Sequence, residues 1–139
     1  MKKSLVVALL TNVTLATPVV ADDSLFADMG GKPGIDRLVD EVEKVYLADP
    51  RIKDQFSQSN MERLNAKLKE EFCVVAGGPC TYTGHSMEAA HKGLHLTNAD
   101  FDALTEDLQD AMDTCKIPFR IQNRFLARLA PMEHQIVTR

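Results

Sequence analysis

Four histidines, three cysteines and a scattering of carboxylates and lysines are the residues able to do chemistry in this chain. Three of the histidines and one cysteine gather in one stretch. Between residues 77 and 97 the sequence reads Gly77-Gly78-Pro79-Cys80-Thr81-Tyr82-Thr83-Gly84, then His85, Met87, Ala90-His91-Lys92-Gly93-Leu94 and His95. His91 and His95 are four apart, the spacing that presents two imidazoles on one helix face to a zinc ion. Gly93 between them argues against a continuous helix, and His85 and Cys80 are the only loose candidates for further ligands. A lone histidine is ordinarily a surface or capping residue. What His91 does therefore depends on the elements around it.

Those elements are helices. Ile35, Leu38, Val39, Val42 and Tyr46 share a face at helical spacing; Pro33 suits the first turn, and Asp49-Pro50 ends the run. A short turn holds Ile52 and Phe56. Ser59 or Asn60 caps the next helix, striped by Met61, Leu64, Leu68, Phe72 and Val75 until Gly77-Gly78-Pro79 stops it. Residues 80–96 read as loop, with one helical turn near 88–91. Thr97 caps a helix striped by Phe101, Leu104, Leu108, Met112 and Cys115, which Ile117-Pro118 breaks. The last helix carries Ile121, Phe125, Leu129, Met132 and Ile136, with Pro131 disturbing its second half. Period-two alternation never persists, so the spacing predicts an all-α domain of four substantial helices and one long loop.

The whole chain has 139 residues and a formal charge of −4, which fits one domain and disfavours a nucleic-acid binder. Lys2-Lys3, an apolar run from Leu5 to Ala16 and small residues before a cut after Ala21 form a secretory signal pattern over residues 1–21. The run is about a dozen residues, short of the roughly 20 that a membrane span needs. The expectation is a soluble domain over 22–139, periplasmic or secreted, with no membrane attachment once the signal is removed. Cysteines in an exported protein tend to pair. Cys73 and Cys80 would lie about 10 Å apart on a continuous helix, too far to bridge, but the Gly-Gly-Pro stop lets the chain fold back. Whether they bridge stays open. Cys115 reads as a buried free thiol.

With these elements in place, the sequence resembles the group I truncated haemoglobins, short globins with a two-over-two helical sandwich. The resemblance runs over residues 24–137. It is carried by Gly30-Gly31, Leu47-Ala48-Asp49, Phe56, Met61-x-Arg63-Leu64, the Gly-Gly-Pro and Tyr-Thr-Gly runs, Ala90-His91-x-Gly93, Leu96-Thr97 and Ala130-Pro131. It implies one haem b (iron protoporphyrin IX) per chain, with His91 as the proximal iron ligand. Phe56, Leu64, Lys67, Leu68, Phe72, Tyr82, Met87, Leu96 and Phe125 would surround the cofactor. Haem iron needs a neutral imidazole nitrogen on one axial side and an open site on the other. Gly93 would allow the backbone close to the porphyrin. Val42, Glu43, Phe56, Leu64, Lys67, Leu68 and Phe72 map to the distal side.

The sequence departs from that family where ligand chemistry is decided. Glu43 stands where many members have tyrosine, and Leu68 where they have glutamine. Leu68 cannot donate a hydrogen bond and an ionised Glu43 would repel bound dioxygen, so dioxygen is expected to be held weakly. Tyr46 sits nearer the centre of its apolar face. Lys67 occupies a position from which relatives supply a second axial ligand, or it snorkels to a haem propionate. His95 departs from the usual glycine, and His134 lies one position from where some relatives link haem to histidine. Three functions follow. The first is reversible binding of dioxygen or another diatomic gas, nitric oxide or carbon monoxide. The second is nitric oxide dioxygenation or peroxide-driven oxidation, with Glu43 as the acid–base group and an external reductase as electron donor. The third is a helical interaction protein without haem.

Overall fold

The computed structural model describes residues 24–138. The signal-like segment and the cut after Ala21 lie outside them. Seven helices follow in order: α1 (Ser24–Asp28), α2 (Gly31–Ala48), α3 (Met61–Val75), α4 (Met87–His91), α5 (Asn98–Thr114), α6 (Phe119–Leu129) and α7 (Glu133–Ile136). Short 3-10 turns cover Lys53–Phe56 and Ala130–Met132. Among the described residues there is no strand, and no helix is long and apolar enough to cross a membrane. The architecture is two-over-two: α2 packs on α3 and on α5, α5 packs on α6, and α3 meets α6 across the sandwich. The small α1 closes the end of α2 and α6, and α4 leans on α7.

Local chemistry explains the boundaries. The α2 stripe is buried as its spacing predicts: Ile35, Leu38, Val39, Val42 and Tyr46 all face inward. Its end at Asp49 is closed by the Asp49 amide donating to the Val45 carbonyl, and Pro50 prevents continuation. Asn60 caps α3, its side chain accepting from the Arg63 amide at 2.9 Å. Thr97 caps α5 in a reciprocal box, its hydroxyl accepting from the Asp100 amide while the Asp100 carboxylate accepts from the Thr97 amide. The terminal stripe is broken rather than continuous. Pro131 lacks the amide a helix needs, so α6 gives way to a 3-10 turn before α7 resumes. The segment 24–28 forms the extra helix α1, which is too short for a periodic signal.

The core runs between α2, α5 and α6, with Leu25, Ile35, Leu38, Val39, Val42, Met112 and Phe125 fully buried. Phe72 and Phe125 meet edge to face at 5.1 Å, joining α3 to α6. The α3 stripe differs from a core stripe. Leu64 and Leu68 are only half-buried, because their face also opens onto a cavity. Cys115 is free and half-buried at the end of α5, where the closing turn leaves it partly uncovered.

Cys73 at the end of α3 is bridged to Cys80, with Cα atoms 6.0 Å apart. The chain reverses through Gly77-Gly78-Pro79, and the Gly78 amide donates to the Cys73 carbonyl. That reversal is what brings two cysteines seven positions apart within bridging distance.

A carboxyl cluster locks α2 to α5. Arg51 binds Asp49 at 2.7 Å and Glu106 at 2.6 Å, and stands 3.6 Å from Asp107. Asp107 is 4% exposed, and its Oδ2 has no hydrogen-bond partner among the described residues. Burial, and then the charge of Asp49, push Asp107 up to about 6 from the ordinary 3.8. A carboxyl raised on folding contributes its stability below its unfolded value and loses it as pH rises through the folded value. Asparagine imitates the neutral acid. Asp107→Asn should therefore be more stable than the parent by about 3 kcal/mol above pH ~6, with the advantage vanishing below pH ~4. Urea melts across that interval check this; an advantage independent of pH would contradict it.

Candidate functional site

A cavity of about 530 Å3 opens between α3 and the segment running from residue 80 through α4. Its walls are largely apolar. Leu64, Leu68 and Phe72 come from α3, Phe56 from the turn after α2, and Leu104 and Leu108 from α5; Leu126 and Leu129 come from α6. Tyr46 also reaches it and stacks on Phe56, with ring centroids 5.6 Å apart. A cleft of this size and character is typical of a cofactor or small-molecule site.

His91 ends α4 and faces the cavity. Its Nδ1 lies 2.7 Å from the Met87 carbonyl oxygen. A carbonyl only accepts, so Nδ1 carries the proton and donates. Nε2, on the side of the ring away from the helix backbone, is then the nitrogen with a lone pair. This is the tautomer and anchoring that a metal-ligating histidine requires. Five residues make a weak helix alone, and several contacts hold α4 where it is. Ser86 caps it, accepting from the Ala89 amide. Tyr82 donates its hydroxyl proton to the His85 carbonyl at 2.7 Å, and Gly84 leaves room for that ring, which a Cβ would strike. At Gly93 the requirement is conformational. The backbone leaves α4 through φ +83, and a Cβ there would meet nothing.

The segment before α4 is tied to α3 twice, by the Cys73–Cys80 bridge and by a polar latch. Lys67 Nζ binds Glu70 at 2.9 Å and also the Thr83 hydroxyl, while the Thr83 amide donates to Glu70 at 2.8 Å. The Lys67 ammonium and then the Thr83 amide hold the Glu70 carboxyl down to about 2. Lys67 thus lines the cavity as a paired ammonium, which has no lone pair to offer a metal.

The structure brings together Phe56, Leu64, Lys67, Leu68, Phe72, Tyr82, Met87, His91 and Leu96 around this one cavity. Phe125 is not among them. It is fully buried behind Phe72 and supports that wall from the second layer, because α6 presents it to the core. Glu43 does not line the cavity either. It sits on the flank of α2 and accepts a hydrogen bond from Asn65 of α3 at 2.7 Å. Val42 is buried in the core beside it. Cys80 is committed to its bridge, His95 is exposed, and His134 faces a separate shallow depression near Pro131. Among the described residues, no three His, Cys, Asp or Glu side chains are grouped to hold a metal ion by themselves.

Sequence reasoning did not place Tyr46 or Glu71, among other lining residues, at the cavity. Tyr46 is 4% exposed, and its hydroxyl makes no hydrogen bond among the described residues. Burial, followed by the charges of Asp107 and Glu71, raises its ionisation far above the usual phenol range. Glu71, just before Phe72, also lines the cavity, and burial alone pushes its carboxyl up. Its spacing from Leu64 and Lys67 on α3, seven and four residues, was the available signal.

These residues fit a haem. The lining is largely apolar, Phe56, Phe72 and Phe101 provide flat surfaces, His91 offers Nε2, and Arg63 on α3 supplies positive charge for propionates. The bacterial-like globin family matches residues 24–138. Group 1 truncated hemoglobin GlbN of Mycolicibacterium paratuberculosis is 30% identical over 115 residues, covering 83% of this chain and 85% of the relative. Group 1 truncated hemoglobin of Tetrahymena thermophila is 41% identical over 86 residues, covering 61% of this chain and 70% of the relative. Among solved structures, the ferric truncated hemoglobin of Tetrahymena pyriformis superposes with a TM-score of 0.80 at 25% identity, over 83% of this chain and 98% of that one. A Synechococcus 2/2 hemoglobin with covalently attached heme gives 0.76 at 25% identity, over 83% and 98%. Fold, cavity and relatives agree: the chain belongs to the bacterial-like globin family, as a truncated haemoglobin of the two-over-two type.

Proposed function

We propose that this protein holds one haem b in the α3–α4 cavity through His91 and reversibly binds dioxygen or another diatomic gas on the opposite face. The single observation that carries this reading is the His91 ring, locked by Met87 so that Nε2 is the coordinating nitrogen at a largely apolar cavity. Globin membership supports haem-based gas binding in general. The iron, when bound, supplies an open coordination position for the gas. The chain supplies the rest. Phe56 and Phe72 would keep water from the macrocycle, and Arg63 would offer charge to its propionates. Glu43 is withdrawn to Asn65, so the carboxylate expected to repel dioxygen takes no part.

Leu64 and Leu68 offer bound dioxygen nothing but contact. Tyr82 spends its hydroxyl on the His85 carbonyl. Tyr46 is the cavity tyrosine with an uncommitted hydroxyl, and it takes the donor's role. An exported location is supported by the basic and apolar first 21 residues and by the Cys73–Cys80 bridge, since disulfides persist in oxidising compartments.

Three outcomes test this reading. Hemin added to the purified protein should give a Soret band that His91→Gly shifts or removes and that free imidazole restores; a colourless parent protein would refute haem binding. Tyr46→Phe should speed dioxygen release about fivefold, the worth of one neutral hydrogen bond of about 1 kcal/mol, as read by stopped-flow. Intact mass of the protein recovered after expression with its native start should correspond to a chain beginning at Asp22; retention of Met1 in all of it would exclude processing.

A further inference from the structure

Glu71 is a carboxyl group without a job in the account so far. It lies on α3 one turn after Lys67 and lines the cavity, yet it makes no hydrogen bond or ion pair among the described residues. Its neighbours are otherwise employed. Lys67 is paired with Glu70 and Thr83, and Glu70 points at that latch rather than at the cavity. A partnerless carboxyl against apolar walls weakens a fold, and burial moves its titration upward. Its position gives it a chemical use.

We propose that Glu71 is the proton acceptor for small weak acids, HX, that bind in this pocket, hydrogen peroxide and hydrogen sulfide among them. The inference rests on the haem reading above. The balance is simple. The H–X bond breaks, its proton forms an Oε–H bond on the Glu71 carboxylate, and the electron pair stays on X−, which is retained in the pocket. No oxidant or reductant is consumed. In a largely apolar pocket a carboxylate takes up that proton more directly than bulk water, so it sets the rate at which protic ligands are taken up. A neutral gas such as carbon monoxide has no proton to lose and is indifferent to Glu71.

The charged and titratable groups around Glu71 leave it this role. It shares the cavity with Tyr46 from α2 and Tyr82 from the 80–86 segment, whose ionisation is raised by burial first, then by the charges of Asp107 and Glu71 at Tyr46 and of Glu71 and Glu70 at Tyr82. His85 from the same segment, His91 from α4 and Asp100 from α5 complete the cavity's ionisable lining beyond α3, while α6 contributes only Leu126, Leu129 and neighbouring apolar atoms. On α3 itself, Arg63 lies two turns away and Lys67 is already paired. His91 Nε2 is reserved for the iron and its Nδ1 proton for Met87.

The test uses the full chain loaded with hemin and cyanide as the probe. Ferric parent protein should take up cyanide with a rate that rises through the Glu71 ionisation. Glu71→Gln should be about 100-fold slower near neutrality, the low end of general acid–base contributions, and should follow only the free cyanide anion as pH increases. Glu71→Asp should retain the parent's step. An infrared difference spectrum should show a protonated carboxyl C=O band on cyanide binding that Glu71→Gln lacks. Carbon monoxide association to the ferrous forms should be unchanged. Superimposable cyanide profiles for parent and Glu71→Gln overturn the proposal, as does an equal slowing of carbon monoxide, which would make Glu71 a steric gate. Failure of the parent to bind hemin would instead defeat the haem reading, so the two failures are distinct.

Discussion

The hydrogen bond from His91 Nδ1 to the Met87 carbonyl is the constraint on which the site depends. It settles which ring nitrogen keeps its lone pair, and it orients the ring against its own helix. A five-residue helix is too short to be stable by itself, so this bond is only as good as the segment that carries it. The disulfide at Cys80, the latch at Thr83, the tyrosine bond at His85 and the serine cap at Ser86 follow one another along that segment. Each removes freedom from the chain just before α4. Together they transfer the rigidity of the fifteen-residue α3 to the short α4.

The same arrangement keeps the cavity open. Leu64 and Leu68 of α3 line the cavity, and Leu68 also packs on the core, so this face of α3 is shared between core and pocket. Two aromatic pairs brace the sides: Tyr46 on Phe56 and Phe72 on Phe125. A two-over-two sandwich has few helices with which to enclose a cofactor. The burden falls on these side chains and on a well-anchored irregular segment instead of on further helices. Polar groups within such a wall are costly unless they are paired. Lys67 is paired, Glu43 is removed to the flank, and Tyr46 and Glu71 are left facing the space.

Much of this was legible in order along the chain. Helical spacing placed α2, α3, α5 and α6, and the capping residues Asn60 and Thr97 marked their starts. The Gly-Gly-Pro stop and the motif around His91 pointed to the segment that lines the cavity. The α1 helix was not legible, since five residues do not complete enough turns to show a period. Pro131 was seen as a disturbance, and the structure shows a full break into a 3-10 turn. Phe125 carried the same apolar signal as Phe72, and periodicity cannot distinguish the side chain that forms a wall from the one behind it.

The sequence by itself determined the four long helices and the stop that lets the chain reverse between Cys73 and Cys80, because these depend on residue type and local spacing. Only the tertiary structure decided which groups reach the ligand side of the pocket. Tyr46 and Glu43 are three residues apart on one helix. A rotation of that helix about its axis, fixed by how it packs on α3 and α5, turns the phenol into the cavity and the carboxylate out to Asn65. That rotation is a property of three helices packed together, and no single stretch of sequence contains it.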